Sequence, residues 1–242
     1  MPPHTIILIR HAQAEHNISQ NYTLPDPPLS PLGLRQLPHL THALRTSPLA
    51  AQITTLLTSP ATRTLQTTQA VLAALPTPHA VTLELRPEWQ ENSAMPCDTP
   101  SLASVLRPRF PSLASPPWET DPWAPLMAAG EYTSKTGPWA PDAAALRERA
   151  RLVLGDLGSR EGTVGVVAHQ GFLQVVTGEG GGGEGVRWEN GEGKAFGLEV
   201  GSESDGSVRL VPKEGGWVLP DAEEGGNQPA EREAEAAVEE VS

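Results

Sequence analysis

The sequence predicts an α/β protein with a mostly parallel central sheet. Short apolar runs rich in β-branched residues occupy positions 5–9, 53–58 and 162–168, and such runs are typical of strands buried on both faces of a parallel sheet. Segments with helical spacing of apolar residues separate the runs, as expected when helices connect parallel strands. The polar residues at the strand ends are therefore the candidate functional residues.

The length and the net charge of the chain limit the functions that it can have. The 242 residues suffice for one large domain with a sizeable core. The net charge of -12 argues against a nucleic-acid or anionic-membrane partner, because binding to phosphate backbones relies on a basic surface. A small phosphorylated ligand is compatible with this charge if the cationic side chains gather in one pocket.

Cysteine content and hydropathy bear on the compartment. The single cysteine, Cys97, excludes an internal disulfide framework and a cysteine-built zinc site. Residues 1–4 lead directly into the first strand without the pattern of a signal peptide, and no later segment has the apolar length of a membrane span. We therefore expect an intracellular, cytoplasmic protein with no membrane partner.

The first strand ends in Arg10 and His11. Ligands of open α/β sheets bind beyond the carboxyl ends of the strands, so a guanidinium and an imidazole at this position suit an anionic substrate. The alternative is a strand that stops at a charged turn without a function. A helix should follow at 31–45, with Ser30 as its N-cap, and Pro38 should interrupt or kink it.

The second strand, at 53–58, repeats this arrangement, because Arg63 lies in the first turn of a helix expected at 61–75. An arginine there is unfavourable for the helix dipole. It becomes reasonable if an anion lies between its guanidinium and the free amides of the helix N-terminus. The alternative is an exposed arginine at a helix end.

The third strand, at 81–85, is followed by two carboxylates, Glu88 and Glu91. From 92 to about 141 the composition changes and becomes rich in proline and tryptophan. We interpret this segment as an insertion that folds over one edge of the sheet rather than as a separate domain.

The fourth strand, at 162–168, delivers His169 at its end, as the first strand delivers His11. Residues 1–220 are predicted to form one domain, and the acidic residues 221–242 to form a disordered tail. The other expected elements are a helix at 142–157 with Asp142 as N-cap, a helix beginning at 172–176, a mobile Gly/Glu-rich loop at 177–186, and strands at 196–200 and 208–212.

Together the strand ends predict one site. Two arginines and two imidazoles beside helix N-termini would bind a phosphoryl group, and a nearby carboxylic acid could protonate a departing oxygen. The residues that we expect to meet are Arg10, His11, Arg63, Glu91 and His169.

Three segments carry a family resemblance. Residues 8–12 (LIRHA), 59–67 (SPATRTLQT) and 167–171 (VAHQG) resemble, in order and spacing, the motifs of the histidine phosphatase superfamily, also called the phosphoglycerate mutase-like family. The resemblance implies a three-layer α/β/α sandwich. Residues 90–93, 96–99 and 188–190 further resemble a fungal-type branch of intracellular members.

The resemblance implies a role for each matching residue. His11 would be the nucleophile that is transiently phosphorylated, while Arg10, Arg63 and His169 would bind the phosphoryl oxygens. Glu91 would act as general acid and then as general base. The resemblance also implies substrate-binding roles for Asn17, Gln170 and Gly171. It implies no cofactor and no metal, because the arginines and the histidine supply the positive charge.

The expected activity is hydrolysis of a small phosphorylated metabolite, either a monoester or a diphosphate. One alternative is a mutase of the same chemistry, which needs a second anion site. The 92–141 segment offers only three cationic residues for such a site, Arg107, Arg109 and Lys135. Another is a catalytically impaired regulatory protein that binds a phosphate ligand. The oligomeric state is left open.

Ala12 departs from the family pattern, and Glu88 is a second candidate for the role of the acid. Ala12 replaces the usual glycine of the first motif, and a position with positive φ would strain it. Glu88 lies three residues before Glu91 and could take its place as the acid, although the sequence around Glu91 matches the family branch better.

Overall fold

A six-stranded mixed sheet forms the centre of the fold. The computed structural model describes residues 5–113, 120–178, 188–200 and 208–220. The strands are β1 (Thr5–Arg10), β2 (Ile53–Thr58), β3 (Thr82–Leu85), β4 (Thr163–Ala168), β5 (Gly193–Val200) and β6 (Val208–Trp217). Their order is β3-β2-β4-β1-β5-β6. The first four strands pair in parallel, whereas β5 pairs antiparallel with β1 and β6 antiparallel with β5. The predicted α/β class is confirmed, and the last two strands make the sheet mixed.

Helices connect the parallel strands. In the described part of the chain they are α1 (Glu15–Ser19), α2 (Pro31–Thr46), α3 (Thr62–Ala74), α4 (Ala103–Arg109), α5 (Ala124–Ala128), α6 (Ala143–Ser159) and α7 (Gln170–Thr177). The predicted caps at Ser30 and Asp142 are confirmed, since both side chains accept backbone N–H bonds in the first turn. The predicted interruption at Pro38 is wrong, because α2 continues through this residue, and Leu40 and Leu44 beyond it are buried in the core. A kink at Pro38 stays a prediction.

Other element boundaries differ from the prediction. The helix α7 begins at Gln170 rather than at 172, because His169 already serves as its extended N-cap. The strand β6 continues to Trp217, since the ladder with β5 extends to Gly193. A short helix, α1, also lies between β1 and α2, where no helix was predicted.

The alternating side chains of β1 separate two cores. Ile7 and Ile9 face a cluster that includes residues of α2 and α3, whereas Ile6 and Leu8 face a cluster that includes residues of α6 and α7. Successive side chains of a strand point to opposite faces of the sheet. The helices therefore form a layer on each face, which gives three layers.

Part of the 92–141 segment packs beside β3, an edge strand. Leu85 N donates to Pro122 O over 2.9 Å. Trp123 is fully buried in the core and donates from Nε1 to Leu113 O over 2.9 Å. Trp123 therefore contributes to the core. The interpretation of the segment as an insertion stays a prediction.

Three predictions concern residues at the limits of what is described. The loop at 177–186 lies almost entirely outside the described residues, and the acidic tail at 221–242 lies wholly outside them. That residues 1–220 form one domain stays a prediction. Among the helices in the described part of the chain, none is long and apolar enough to cross a membrane.

Candidate active site

The carboxyl ends of β1, β4 and β2 bring the candidate residues together. These strands are parallel neighbours, with Arg10 opposite Ala168 and Thr58 opposite Val167. The rings of His11 and His169 consequently lie 5.2 Å apart between centroids. Arg63, from the first turn of α3, lies between them: its Nε is 3.2 Å from His11 Nε2 and its Nη2 is 3.0 Å from His169 Nδ1.

Hydrogen bonds fix the tautomer of His11. Its Nδ1 lies 2.6 Å from the carbonyl oxygen of Ala12, and a carbonyl can only accept, so Nδ1 carries the proton. Nε2 then has a free lone pair, which accepts from Arg63 Nε. Burial, followed by the charges of Arg63 and Arg10, holds the pKa of His11 well below its usual value. The imidazole is therefore neutral at physiological pH, with its lone pair on Nε2.

Ala12 is accommodated without the strain that a positive φ would cause. Among described residues other than glycine, positive φ occurs only at Gln20, Asp26 and Lys135. Ala12 is buried, and its N–H donates to Thr67 Oγ1 over 3.2 Å. The extra methyl group therefore fits the first motif in this backbone.

Arg63 is held by backbone and side-chain acceptors. Its Nη1 donates to Cys97 O over 2.6 Å, and its Nη2 donates to Asp98 Oδ1 over 3.1 Å. The helix that carries it is capped from another segment, because buried Asp26 accepts from the N–H and the hydroxyl of Thr62, each over 2.8 Å. The guanidinium of Arg63 is therefore positioned both by its own hydrogen-bond acceptors and by the cap of the helix that carries it.

Residues 188–191 form hydrogen bonds to Arg10 and His11 of the first motif. Arg10 Nη1 donates to Trp188 O. Gly191 N donates to the carbonyl oxygens of Arg10 and His11, each over 3.2 Å, and Asn190 Nδ2 donates to His11 O over 3.2 Å. The backbone around His11 is thus held by residues about 180 positions away.

His169 is hydrogen-bonded at both ring nitrogens. Arg63 can only donate, so His169 Nδ1 accepts from it and Nε2–H donates to Ser59 Oγ over 2.7 Å. Burial lowers the pKa of His169, and the charge of Arg63 lowers it further. Gln170 follows as the first, half-buried residue of α7.

Glu91 binds the N-terminus of α7. Its Oε1 accepts from the N–H groups of Asn92 and Phe172, each over 2.8 Å, and its Oε2 accepts from Gly171 N over 3.1 Å. Burial raises the pKa of the carboxyl group, and the charge of Asp98 adds to this effect. The structure thus brings Glu91 to the turn that follows His169. Glu88 differs, since it pairs with Arg86 over 3.2 Å.

Asn17 lies at the start of α1. Its Oδ1 accepts from Ala14 N over 2.9 Å, and its Nδ2 is 3.1 Å from His16 Nε2. His16 was not among the residues predicted from the sequence. Its ring is buried and lies 6.2 Å from that of His11 between centroids. Burial and the charge of Arg63 lower the pKa of His16 to about 4. Only its closeness in sequence to His11 could have indicated it.

Two buried cations lie against the backbone of Glu91. Lys135 Nζ donates to Glu91 O over 3.2 Å, and Arg149 Nη2 donates to the carbonyl oxygens of Gln90 and Glu91 over 3.1 and 3.3 Å. The two arginines of the 92–141 segment are elsewhere, since Arg107 forms a half-exposed pair with Asp121, and Arg109 is exposed.

One described group has the composition of a metal site. His16, Cys97 and Asp98 each offer a ligand atom, and these atoms lie within 4.8 Å of one another. Asp98 is already paired with Arg63, whose positive charge opposes a second cation. Burial raises the pKa of the Cys97 thiol to about 12. These contacts favour the expectation of a site without a metal, which stays a prediction.

Solved structures share this fold. A candidate α-ribazole-5′-P phosphatase from Escherichia coli K-12 is 18% identical, with a TM-score of 0.52 over 90% of this chain and 97% of that chain. A mycobacterial glucosyl-3-phosphoglycerate phosphatase in complex with VO3 is 15% identical, with a TM-score of 0.53 over 89% and 99%. A phosphoserine phosphatase from Entamoeba histolytica in complex with phosphoserine is 15% identical, with a TM-score of 0.50 over 86% and 95%. At these identities the similarity concerns the fold.

Sequence comparison identifies the family. Curated proteins gave no significant match. The sequence model of the histidine phosphatase superfamily (branch 1), by contrast, matches residues 6–193, a span that contains all three motif segments. The chain belongs to the histidine phosphatase superfamily, branch 1.

Proposed function

We propose that this protein is a phosphatase that hydrolyses a small phosphorylated metabolite through a phosphohistidine on His11. The observation that carries the proposal is the state of the His11 ring: neutral, protonated at Nδ1 by its bond to Ala12 O, and with the lone pair of Nε2 directed at Arg63. A buried neutral imidazole in this tautomer is prepared to attack phosphorus.

In the first step, Nε2 of His11 forms a bond to phosphorus while the bond from phosphorus to the leaving oxygen breaks. Arg10, Arg63 and His169 bind the phosphoryl oxygens and stabilise the charge that spreads over them in the transition state. The carboxylic acid of Glu91 gives its proton to the leaving oxygen, which departs as an alcohol. Asn17, Gln170 and Gly171 complete the substrate-binding set of the proposal.

In the second step, the Glu91 carboxylate takes a proton from water, and the resulting nucleophile attacks phosphorus. The bond between phosphorus and Nε2 breaks, which releases inorganic phosphate and regenerates neutral His11 and protonated Glu91. The raised pKa of Glu91 supports both roles. Its Oε2 accepts only one backbone N–H in the described structure, so this oxygen has the capacity to carry the proton.

The choice of Glu91 over Glu88 rests on placement. Glu91 binds the amides that follow His169, whereas Glu88 belongs to a partly exposed ion pair with Arg86. The other parts of the proposal rest on sequence: membership of a fungal-type intracellular branch, a cytoplasmic location, and chemistry that needs no metal, since the cationic side chains supply the positive charge. Nucleic acids and membranes are not among the proposed partners.

The experiment is a rapid acid-free quench after mixing the protein with a radiolabelled phosphate ester. The ester is p-nitrophenyl phosphate, whose leaving group departs without an acid, so that loss of Glu91 slows only the second step. Label should be found on wild type, should accumulate on Glu91→Gln, where hydrolysis of the intermediate lacks its base, and should be absent from His11→Ala. Equal turnover by wild type and His11→Ala would overturn the proposal. Transfer of phosphate between positions without release would identify a mutase, and binding without turnover by wild type would identify a regulatory protein.

A further inference from the structure

His16 has a buried N–H group that no described residue accepts. Asn17 Oδ1 accepts from Ala14 N over 2.9 Å, so the amide atom that lies 3.1 Å from His16 Nε2 is the nitrogen Nδ2. An amide nitrogen only donates, and His16 Nε2 therefore accepts. The ring is neutral, since its pKa is about 4, and its one proton is on Nδ1. This Nδ1 atom is buried and has no hydrogen-bond partner in the described part of the chain.

His16 differs in this respect from the two predicted histidines. The N–H group of His11 donates to a backbone carbonyl, and that of His169 donates to Ser59 Oγ over 2.7 Å. The second ring nitrogen of each accepts from Arg63. His169 must therefore exchange a partner before it can donate to a phosphoryl oxygen. Of these three imidazoles, His16 alone has an N–H group that is unused among the described residues.

His16 lies within the cluster to which phosphoryl binding is assigned. It is 5% exposed, and its ring centroid is 6.2 Å from that of His11. The charges of Arg63 and Arg10 act on the pKa of His16, and His16 in turn acts on the pKa values of His11 and His169. Such effects weaken with distance. A phosphoryl group held by His11 and Arg63 consequently lies close to His16.

The neighbouring carboxylate of Asp98 does not accept from His16. One ring nitrogen of His16 and a carboxylate oxygen of Asp98 lie within 4.8 Å of each other, but the two oxygens of Asp98 accept from other groups. Oδ1 accepts from Arg63 Nη2 over 3.1 Å, and Oδ2 accepts from Ser93 Oγ over 2.6 Å. A buried donor without an acceptor is costly. A ligand oxygen that accepts from Nδ1 would remove this cost.

We propose that His16 is a further substrate-binding residue, whose Nδ1–H group donates to an oxygen of the substrate's phosphoryl group. The inference rests on the proposed function for the position of that group beside His11. Arg10 and Arg63 supply positive charge to the phosphoryl oxygens, whereas the neutral ring of His16 supplies a hydrogen bond of fixed direction. The hydrogen bond from Asn17 to Nε2 keeps the proton on Nδ1.

The first experiment observes the donor directly by NMR. The full chain is labelled with 15N-histidine, and proton–nitrogen spectra are recorded during titration with inorganic phosphate and, as the control, with sodium chloride at equal ionic strength. The absence of a signal from each single histidine variant assigns the rings. We expect the proton of His16 on Nδ1 and a downfield shift of its N–H signal with phosphate only. The signal of His42, which is exposed on α2, should not shift.

Two NMR results would overturn the proposal. One is a proton on Nε2 of His16. The other is a His16 signal that phosphate leaves unchanged, whether or not the signals of His11 and His169 respond. A phosphate response at His16 in a protein that forms no phosphohistidine would uphold the site and reject the phosphatase function. Phosphohistidine on His11 without a response at His16 would do the reverse.

The second experiment moves the donor within the site. The amide of His16→Asn reaches about the position of Nδ1, whereas the longer amide of His16→Gln reaches about that of Nε2. With p-nitrophenyl phosphate, His16→Gln should lower kcat/KM by about 10- to 100-fold, the range of a hydrogen bond to a charged group. His16→Asn should recover part of this loss, and His42→Gln should show none.

Thermal unfolding of the variants establishes that they are folded at the assay temperature. Unchanged kcat/KM in folded His16→Gln, or equal losses in folded His16→Asn and His16→Gln, would overturn the role of the Nδ1 donor.

Discussion

Arg63 donates from Nε to the Nε2 atom of His11 across 3.2 Å, so the proposed phosphate-binding cation contacts the proposed nucleophilic atom itself. The same guanidinium contacts His169 through Nη2 and the Cys97 carbonyl through Nη1. A phosphoryl group that reaches Nε2 must therefore contact Arg63, and the substitutions at this residue test the site most directly.

Arg63→Ala is expected to lower kcat/KM by about 100- to 1,000-fold, the usual loss when one preorganised donor to a transition-state oxyanion is removed. Arg63→Lys should recover little of this, because an ammonium cannot reproduce the planar fork of donors. Steady-state kinetics with a phosphate ester measure both. The exposed Arg109→Ala is the control, and equal losses in the two alanine variants would show that general charge, not the Arg63 geometry, matters.

Arg149→Met is expected to lower kcat by about tenfold or more with a smaller change in KM, because Arg149 holds the carbonyls of Gln90 and Glu91 and so positions the proposed acid. The effect should also appear in the pH profile, since it acts through Glu91. Arg151→Met on the same helix is the matched control, because its side chain is exposed and pairs only locally with Glu148. A change confined to KM would contradict the positioning role.

The stability of the fold is expected to fall as the pH falls from about 6.5 toward 4. The pKa of His16 is about 4 in the folded protein, against an ordinary value of 6.5. Between these two pH values the unfolded chain binds a proton at His16 that the folded chain does not bind. Burial lowers the pKa values of His11 and His169 as well, and they act in the same direction. Urea unfolding at several pH values measures the slope.

His16→Gln should reduce this loss of stability, because the variant has no imidazole to titrate at this position. His42→Gln serves as the control, since His42 is exposed on α2. An unchanged slope in His16→Gln would mean that His16 does not contribute to the pH dependence.

Gly33→Ala is expected to destabilise the protein by about 1 to 3 kcal/mol or more, the cost of overpacking. A Cβ at Gly33 would lie 1.9 Å from the backbone oxygen of Gln13, in the loop that follows His11. Because the obstacle is backbone, the loop or α2 must move, and activity should fall with stability.

Gly155→Ala is the matched control on another helix. A Cβ there meets nothing within 4 Å, so alanine should stabilise α6 by about 0.5 to 1 kcal/mol through its better helix propensity. Thermal unfolding of both variants gives the comparison. A stable Gly33→Ala protein with normal activity would show that this close approach is not required.

The residues that sequence could predict are those whose positions follow from strand ends. Arg10, His11 and His169 end parallel strands or directly follow them, and Arg63 begins the next helix, so the topology alone brings them together. Their spacing also matched family motifs. Glu91 follows β3 by six residues, and its placement required the contacts with the start of α7.

The remaining site residues come from segments whose course depends on tertiary packing. His16 is in a helix of only 5 residues, which is too short to show a helical pattern of apolar residues. Asp98 and Lys135 come from a segment with little regular structure. Their approach to the site depends on specific bonds, such as Arg63 to Asp98 and Lys135 to Glu91. No periodicity in the sequence encodes such contacts.

The place of β1 in the sheet has a consequence for how the chain folds. β1 precedes the other described strands in the chain, yet its two neighbours are β4 and β5, whose pairing residues begin at Thr163 and Gly193. Contacts this distant in sequence form slowly, and both edges of β1 stay unpaired until most of the chain has emerged from the ribosome. The strand that carries His11 therefore keeps its backbone edges unpaired and its apolar side chains exposed until late in folding. We expect slow refolding and a tendency to aggregate as a result.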